Sequence, residues 1–535
     1  PRKESANKQN GIFTSGPSPL QQDEYVTDHV IGQDNIQPLG LLDVHNPVFL
    51  ISGTAIVLFV VFTLSFPDSA AQTFGELRPW LTTTFDWVFM TSVNFFVVFL
   101  VFIACTKAGR IRIGGADSRP DYSFASWISM LFAAGIGIGI MFYGVLEPMN
   151  HLLTPPMNGS ELDIEGQRQL AMAATLYHWA LHPWGVYTVV GLSLAFFAYN
   201  KGLPLIIRSA LYPLFGERVW GWTGHIIDVL AVIATLFGLA TSLGYGAEQI
   251  TGGLSYLFGI SGSDQVKVIV VGAITIMAMI SLVRGLDGGI KRLSEINMIA
   301  AGILGAYILF MGPTLDIIAA FFGNVVAYIQ YLPALSNFVG REDAYYMHDW
   351  TTFYWSWWIA FSPFVGMFIA RISKGRTVRE FIIATLLAPS LIFVAWMTIF
   401  GETAMNHYLD DDITAVADTV RAFQPELTLF AFLQEFPLAT ASSVLGILLV
   451  MVFFTTSMDS GSFIVDTMTS GGKIETPMVQ RLFWCVFLGL IGIALLLGGG
   501  LASLQALSLA VGFPFCLIVL LMCVSLYKAL SRESE

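Results

Sequence analysis

Apolar runs of about twenty residues, the length a helix needs to cross a bilayer's hydrocarbon, alternate with short polar segments from Pro47 to Leu526. The pattern predicts twelve spans, at roughly 47–66, 86–106, 124–147, 174–199, 226–257, 266–283, 294–314, 350–370, 380–401, 440–459, 480–498 and 503–527. Lipid offers nothing for an exposed backbone group to bond to, so each span should be helical. Runs of this length exclude a barrel of ten-residue strands. The expected fold class is an all-α membrane protein with the bilayer as its main partner. Two further apolar stretches, Leu315–Phe338 and Ile413–Phe436, are interrupted by polar residues and read as amphipathic helices on the membrane surface or against a neighbouring subunit.

Charge adds an orientation. Segments taken alternately from the N-terminus hold 21 of the 26 lysines and arginines, and the intervening ones hold only Arg78, Arg168, Lys267, Arg341 and Arg421. By the positive-inside rule both termini are cytoplasmic, in a cell inner membrane. Residues 1–46 are polar and free of a signal-peptide pattern, so they read as a largely disordered cytoplasmic tail, with residues 528–535 as a short cytoplasmic C-terminus. The composition, 55% hydrophobic and 12% charged with net charge -12, argues against a nucleic-acid partner. Cys105, Cys485, Cys516 and Cys523 lie in or beside apolar spans and read as small core residues.

The third span, FASWISMLFAAGIGIGIMFYGVLEP, alternates Gly135, Gly137 and Gly139 in its middle. The eighth, WTTFYWSWWIAFSPFVGMFIAR, carries Pro363 and Gly366, and such residues loosen helices. Interrupted helices in matching positions of two halves mark an inverted-repeat transporter, here with repeats of five helices at about 124–314 and 350–527. Close packing of the glycines against another helix is the alternative.

No nucleophile set, metal set or phosphate cradle stands out, which argues against an enzyme and against a bound cofactor. The GIGIG run follows no strand, so it fails as a dinucleotide fingerprint. His178 and His182 have the spacing of a metal pair, but no third ligand is near in sequence and Pro183 disturbs the helix beside them.

Aromatic residues carry more. HWALHPWGVY places Trp179, Trp184 and Tyr187 around one bend, and the eighth span adds Trp355, Trp357, Trp358, Phe361 and Phe364. Tryptophan concentrates at membrane interfaces. Clusters at bends instead suit a permanent cation, which indole faces attract by about 2 kcal/mol or more when desolvated. At FFTTSMDSGS, hydroxyls of Thr455, Thr456, Ser457, Ser460 and Ser462 are hard oxygen ligands of the kind a sodium ion requires, unless they bond back to their own helix.

At these residues the chain resembles the betaine/choline/carnitine transporter family. YWSWWIAFSPFVGMFIARISKGRTVREF from Tyr354 looks like its signature segment, and AAGIGIGIMFYGVLEP, HWALHPWGVY and TTSMDSGS match its other landmarks in order. The resemblance implies a LeuT-like five-plus-five fold with two extra N-terminal helices, a homotrimer, and sodium-coupled symport of an onium zwitterion such as glycine betaine, with dimethylsulfoniopropionate, ectoine, carnitine or choline as alternatives. It implies an aromatic box of Trp179, Trp184, Tyr187 and Trp358, with Trp355 in the same cluster and Trp357 and Phe361 along the route to the cytoplasm. The substrate carboxylate would meet backbone amides from Ile136 through Gly137 to Gly139. Sodium, the coupling ion, would take the carbonyls of Ala133, Ile136 and Phe453 with the hydroxyls of Thr456 and Ser457. A second family sodium site maps to Thr235 and Phe364, with Leu239 where its second threonine is expected. Gly139 stands where proton-coupled choline carriers have an aspartate, which disfavours choline and proton coupling.

Overall fold

The computed structural model describes residues 36–284 and 289–534; the expected tail up to residue 35 and Glu535 lie outside the described residues. It is all-α apart from a small antiparallel hairpin that pairs Gln37–Leu39 with Leu42–Val44 just ahead of the first span. We label the main helices α1 (Pro47–Ser65), α2 (Pro67–Cys105), α3 (Phe124–Gly135), α4 (Ile138–Leu153), α5 (Ile164–Trp179), α6 (Leu181–Ala195), α7 (Trp222–Phe258), α8 (Asp264–Arg284), α9 (Arg292–Met311), α10 (Thr314–Ser336), α11 (Phe353–Ile372), α12 (Val378–Met397), α13 (Ala439–Thr469), α14 (Met478–Leu497) and α15 (Leu501–Ser534).

Among the described residues, twelve unbroken helices are long and apolar enough to cross a bilayer, with α5 and α6 counted as one, and the pair α3 and α4 meets at a 64° bend as one further broken span. The sequence count of twelve takes that pair as its third span and α10 as a surface helix, which keeps the even number that two termini on one side require. The structure makes α10 one helix of 23 residues, with Leu315, Ile318, Phe322, Val326 and Ile329 exposed in a stripe along one side. The other interrupted stretch is not one amphipathic helix. It breaks into Ala415–Arg421, a turn at Pro425–Leu427 and Thr428–Leu433, the last wholly buried. Phe423, in the left-handed region at φ 56°, and Pro425 end the first piece.

Three ends also moved. The hairpin orders part of the expected tail, because Asp43 and His45 bond to Gln480 and to the Thr469 carbonyl. Helix α13 runs ten residues beyond the expected end at 459, so Asp459 is fully buried rather than terminal. Helix α15 continues through Ser534 instead of ending at 527. Cys485, Cys516 and Cys523 are buried and unbridged, and Cys105 is exposed.

Helices α6 and α11 pack backbone against backbone. A Cβ placed on Gly366 would meet Val190 Cγ1 at 2.7 Å and the Gly191 backbone nitrogen at 3.0 Å. A Cβ on Gly238 of α7 would meet the Ala360 and Phe361 backbone at 3.0 Å. Backbone cannot yield as a flexible side chain can, so glycine is what lets α6, α7 and α11 touch along their spines.

Gly366→Ala should therefore lower the melting temperature of the detergent-purified protein, an overpacking loss of about 1–3 kcal/mol. Gly302→Ala on α9, where a Cβ meets nothing within 4 Å, should leave it unchanged or raised.

Candidate substrate and ion site

The site begins where α3 stops. Ile136 leaves the helix with extended backbone, and Gly137, also extended, starts α4 with no side-chain cap. The last carbonyls of α3 and the first N–H groups of α4 lack the partners a continuous helix would give them. Two helix ends of opposite polarity thus face one space, a negative end able to hold a cation and a positive end able to hold a carboxylate.

A second break lies opposite. Helix α5 ends at Trp179, and Ala180 (φ -98°, ψ -113°) turns the chain into α6. Pro183, with no N–H, cannot donate to the carbonyl a turn earlier. The His178 carbonyl, among the last of α5, accepts the Trp358 indole N–H at 2.9 Å, and the Tyr328 hydroxyl accepts the Leu181 N–H at 3.1 Å. The bend that the sequence places at His178–Pro183 thereby fixes an indole of α11.

Around these breaks lies a cavity of about 940 Å³. Trp179, Trp184, Tyr187 and Trp358 line it together with Trp357 and Phe361, and Ile136, Gly137 and Gly139 form its floor. Trp179 and Trp358 meet edge to face at 5.0 Å, Trp184 and Tyr187 at 5.1 Å, and Tyr187 and Trp358 at 6.4 Å. Trp357 stacks behind Trp358 at 4.5 Å and donates to Ser242 Oγ at 3.2 Å. Gly139 is required by its neighbour, since a Cβ there would lie 2.8 Å from Trp179 Cη2. The Trp184 N–H is buried and has no protein acceptor.

Trp355 is a correction. It is fully buried but outside the cavity, stacked on His182 at 5.4 Å and against Tyr177 at 5.1 Å. At about 100° per residue it points roughly 120° away from the middle of the face shared by Trp357, Trp358, Phe361 and Phe364.

The expected ion ligands Ala133, Ile136, Phe453, Thr456 and Ser457 all border the same cavity, where the end of α3 faces the middle of α13. These are hard oxygen donors, a set that fits sodium. The Thr456 hydroxyl also bonds back to the Val452 and Phe453 carbonyls, at 3.0 and 3.2 Å. The second expected pair does not come together in this way. Thr235 is buried off the cavity with its hydroxyl on the Ala231 carbonyl at 2.7 Å, while Phe364 lines the cavity. Leu239 packs where a Cβ on Gly461 would be, 2.7 Å from its Cδ1.

From the cage the cavity runs to Asp121, Tyr122, Tyr199, Glu295 and Arg371, all at the end of the bundle that carries the basic segments. At that mouth, partial burial lowers the pKa of Lys374 below the ordinary lysine value, opposed by the nearby charge of Asp121. The other end of the cage is closed by rings. Tyr143 packs on Tyr354 at 5.3 Å and Tyr245 at 5.4 Å, and Tyr245 packs on Trp357 at 5.2 Å.

Two groups were not singled out from sequence. Phe393 of α12 lines the cage, 5.4 Å from Trp179 and 6.2 Å from Trp184; a phenylalanine in an apolar span gives no sign of this. Glu147 closes the third apolar run in sequence, whereas in the structure α4 continues past it to Leu153. It is fully buried, and its Oε1 accepts the Trp179 indole N–H at 2.7 Å and the Tyr354 hydroxyl at 2.5 Å. Its Oε2 meets His178 Nδ1 at 2.6 Å and His151 Nε2 at 3.0 Å. Donors from these three polar side chains lie within 4.8 Å of one another, so the third partner of His178 that sequence spacing does not reveal exists in space. With both carboxylate oxygens already engaged by four donors, the cluster is a hydrogen-bond network. His182 is not part of it and bonds to Asn94 at 2.9 Å.

The family model for betaine/carnitine/choline transporters matches residues 47–535. The chain is 52% identical over 526 residues to the glycine betaine/proline/choline transporter of Vibrio parahaemolyticus, covering 95% of this chain and 94% of the relative. It is 45% identical to glycine betaine transporter 1 of the same organism, over 95% and 98% of the two chains. To the high-affinity choline transport protein of Escherichia coli it is 38% identical over 91% and 72%. These proteins are transporters, not enzymes. A broken span facing an aromatic cage in a helical membrane bundle, on a chain matched along almost its whole length, makes this protein a member of the betaine/carnitine/choline transporter family.

Proposed function

We propose that the protein is a sodium-coupled symporter that imports a zwitterionic onium compound, glycine betaine first, by alternating access across the inner membrane. The observation that carries this reading is the enclosure of Trp179, Trp184, Tyr187 and Trp358 in one cavity with the helix ends at Ile136–Gly139. A trimethylammonium or sulfonium head has no donor to offer, so ring faces suit it better than a carboxylate would. The substrate carboxylate then meets the N–H groups opening α4, with the unpaired Trp184 N–H as a further donor. Glycine betaine is in the names of both Vibrio relatives. Choline, in the name of one of them, fits the same rings but leaves the α4 amides without an anion, so it ranks second.

One sodium ion is assigned to the carbonyls of Ala133, Ile136 and Phe453 with the hydroxyls of Thr456 and Ser457. Thr235 and Phe364 are not assigned a second ion, because Leu239 supplies no hydroxyl there. Sodium would draw the end of α3 against α13 and so order the floor of the cage, a differential affinity that couples ion to substrate. A cavity open at the basic end and closed by tyrosines at the other fits an inward-facing state with both termini cytoplasmic. The bend in α3–α4 and the proline-bearing α11, which runs unbroken from Phe353 to Ile372 contrary to the expected interruption, would be the matching elements of a LeuT-like inverted repeat. The exposed stripe of α10 suits a homotrimer contact.

In proteoliposomes, Trp358→Ala should abolish saturable uptake of labelled betaine. Trp355→Phe, outside the cavity, should keep KM within about twofold of wild type while tolerating a small loss of stability. Replacing Thr456 and Ser457 by Ala should raise the sodium concentration needed for half-maximal uptake by about tenfold, equivalent to losing a 1–3 kcal/mol coupling. An unchanged sodium response in that variant would remove the ion assignment.

A further inference from the structure

Glu147 is a carboxylate in the middle of a membrane protein with no cation paired to it. Arg341 and Arg78, the nearby basic groups at that end of the bundle, already pair with Asp343 at 2.6 Å and Asp349 at 3.2 Å. Its four contacts are to His178, His151, Trp179 and Tyr354. The hydrogen-bond pattern constrains the charge state. Trp179 and Tyr354 are donors, which makes Oε1 an acceptor, and Oε2 is approached by two ring nitrogens.

Neutral histidines satisfy this arrangement, with His178 protonated on Nδ1 and His151 on Nε2. His178 Nε2 is then free to accept from the Thr351 hydroxyl, 2.8 Å away. His151 Nδ1 is buried with no partner. A cationic His151 would place an N–H there with nothing to receive it, the costlier of the two unsatisfied states. With both histidines neutral the network carries one net negative charge, on the far side of the Trp179 N–H from the cavity.

We propose that Glu147 is a positioning residue that gives the cage its preference for a cation. It never touches the substrate. Its carboxylate fixes the Trp179 ring by the N–H bond and, through the same bond, pushes electron density toward the indole face. A second share reaches Tyr354, which stacks on Trp358 at 5.6 Å. In low dielectric a full charge so close to the cage also acts directly on an onium head. The rings supply a surface on which a trimethyl group fits, and Glu147 makes that surface select the charged group over a neutral one of the same shape. The inference rests on the onium reading above.

The test separates charge from shape. Tert-butylacetate copies glycine betaine with a neutral carbon in place of nitrogen, and both are measured as competitors of labelled betaine in proteoliposomes. In wild type, betaine should compete far better than tert-butylacetate; equal competition would sink the onium reading itself. Glu147→Gln is nearly isosteric, but both histidines must change tautomer to accept from the new amide, which leaves an N–H on the unpartnered His151 Nδ1 and costs some stability. It should cut the ratio of the two inhibition constants by about tenfold, mainly through weaker betaine binding, with tert-butylacetate little changed. Equal loss for both ligands would reduce Glu147 to a structural group and overturn the proposal. His151→Lys provides an independent route. It keeps the carboxylate and its bonds to Trp179 and Tyr354 but sets a cation beside Oε2 one helical turn away, and the ratio should fall as it does in Glu147→Gln. A wild-type ratio in His151→Lys would also overturn the proposal, and this variant decides the matter if the amide variant does not accumulate.

Discussion

One buried carboxylate organises the cage. Glu147 holds Trp179 by its N–H and His178 by its ring, and the carbonyl of that same His178 holds the indole of Trp358. Two walls of the cage, on α5 and α11, are thus hung from a single acid on α4. Removing an acceptor from such a network strands several buried donors at once, each a loss of about 1–3 kcal/mol. Aromatic rings alone pack in many ways. Their polar edges are what reduce those ways to one.

The second constraint is the opposite kind, an omission. Between Ala133 and Gly139 the helix is interrupted, keeping one Ile136 N–H bond to the Ala133 carbonyl at 3.2 Å, and the helix ends face the same cavity with opposite polarity. Such ends can receive a cation and a carboxylate side by side without a charged side chain in the membrane. Glycine serves here because Trp179 lies where a Cβ of residue 139 would be. The irregular backbone is tolerated because it lines a cavity and not lipid.

Much of this was legible in the chain. The spans follow from the length of the apolar runs, and the breaks at Gly135–Gly139 and His178–Pro183 from glycine and proline, whereas Pro363 and Gly366 leave α11 continuous. The aromatic cluster was visible, but its partition was not. Trp355 and Trp358 are three residues apart, close enough in angle that either could be taken for the inner face, and only the packing of His182 and Tyr177 against Trp355 separates them. Phe393 was hidden because an apolar residue in an apolar span is the expected background. Glu147 was hidden differently. It closes the third apolar run, where an acid reads as the end of a span, whereas α4 continues to Leu153 and buries it. In α10 the polar Asn324 faces inward to bond Thr398 at 2.9 Å, away from the exposed apolar stripe.

The glycine contacts between α6 and α11 set a limit on motion. Trp184 and Tyr187 ride on one of these helices and Trp357 and Trp358 on the other, and the two backbones meet at Gly191 and Gly366 with no side chain between them to act as a bearing. Helices in such contact can neither slide nor roll past each other without collision, so they move as a single plate. Whatever opens and closes around the substrate must then be hinged elsewhere, at the loosened joint of α3 and α4 or at the helices facing it.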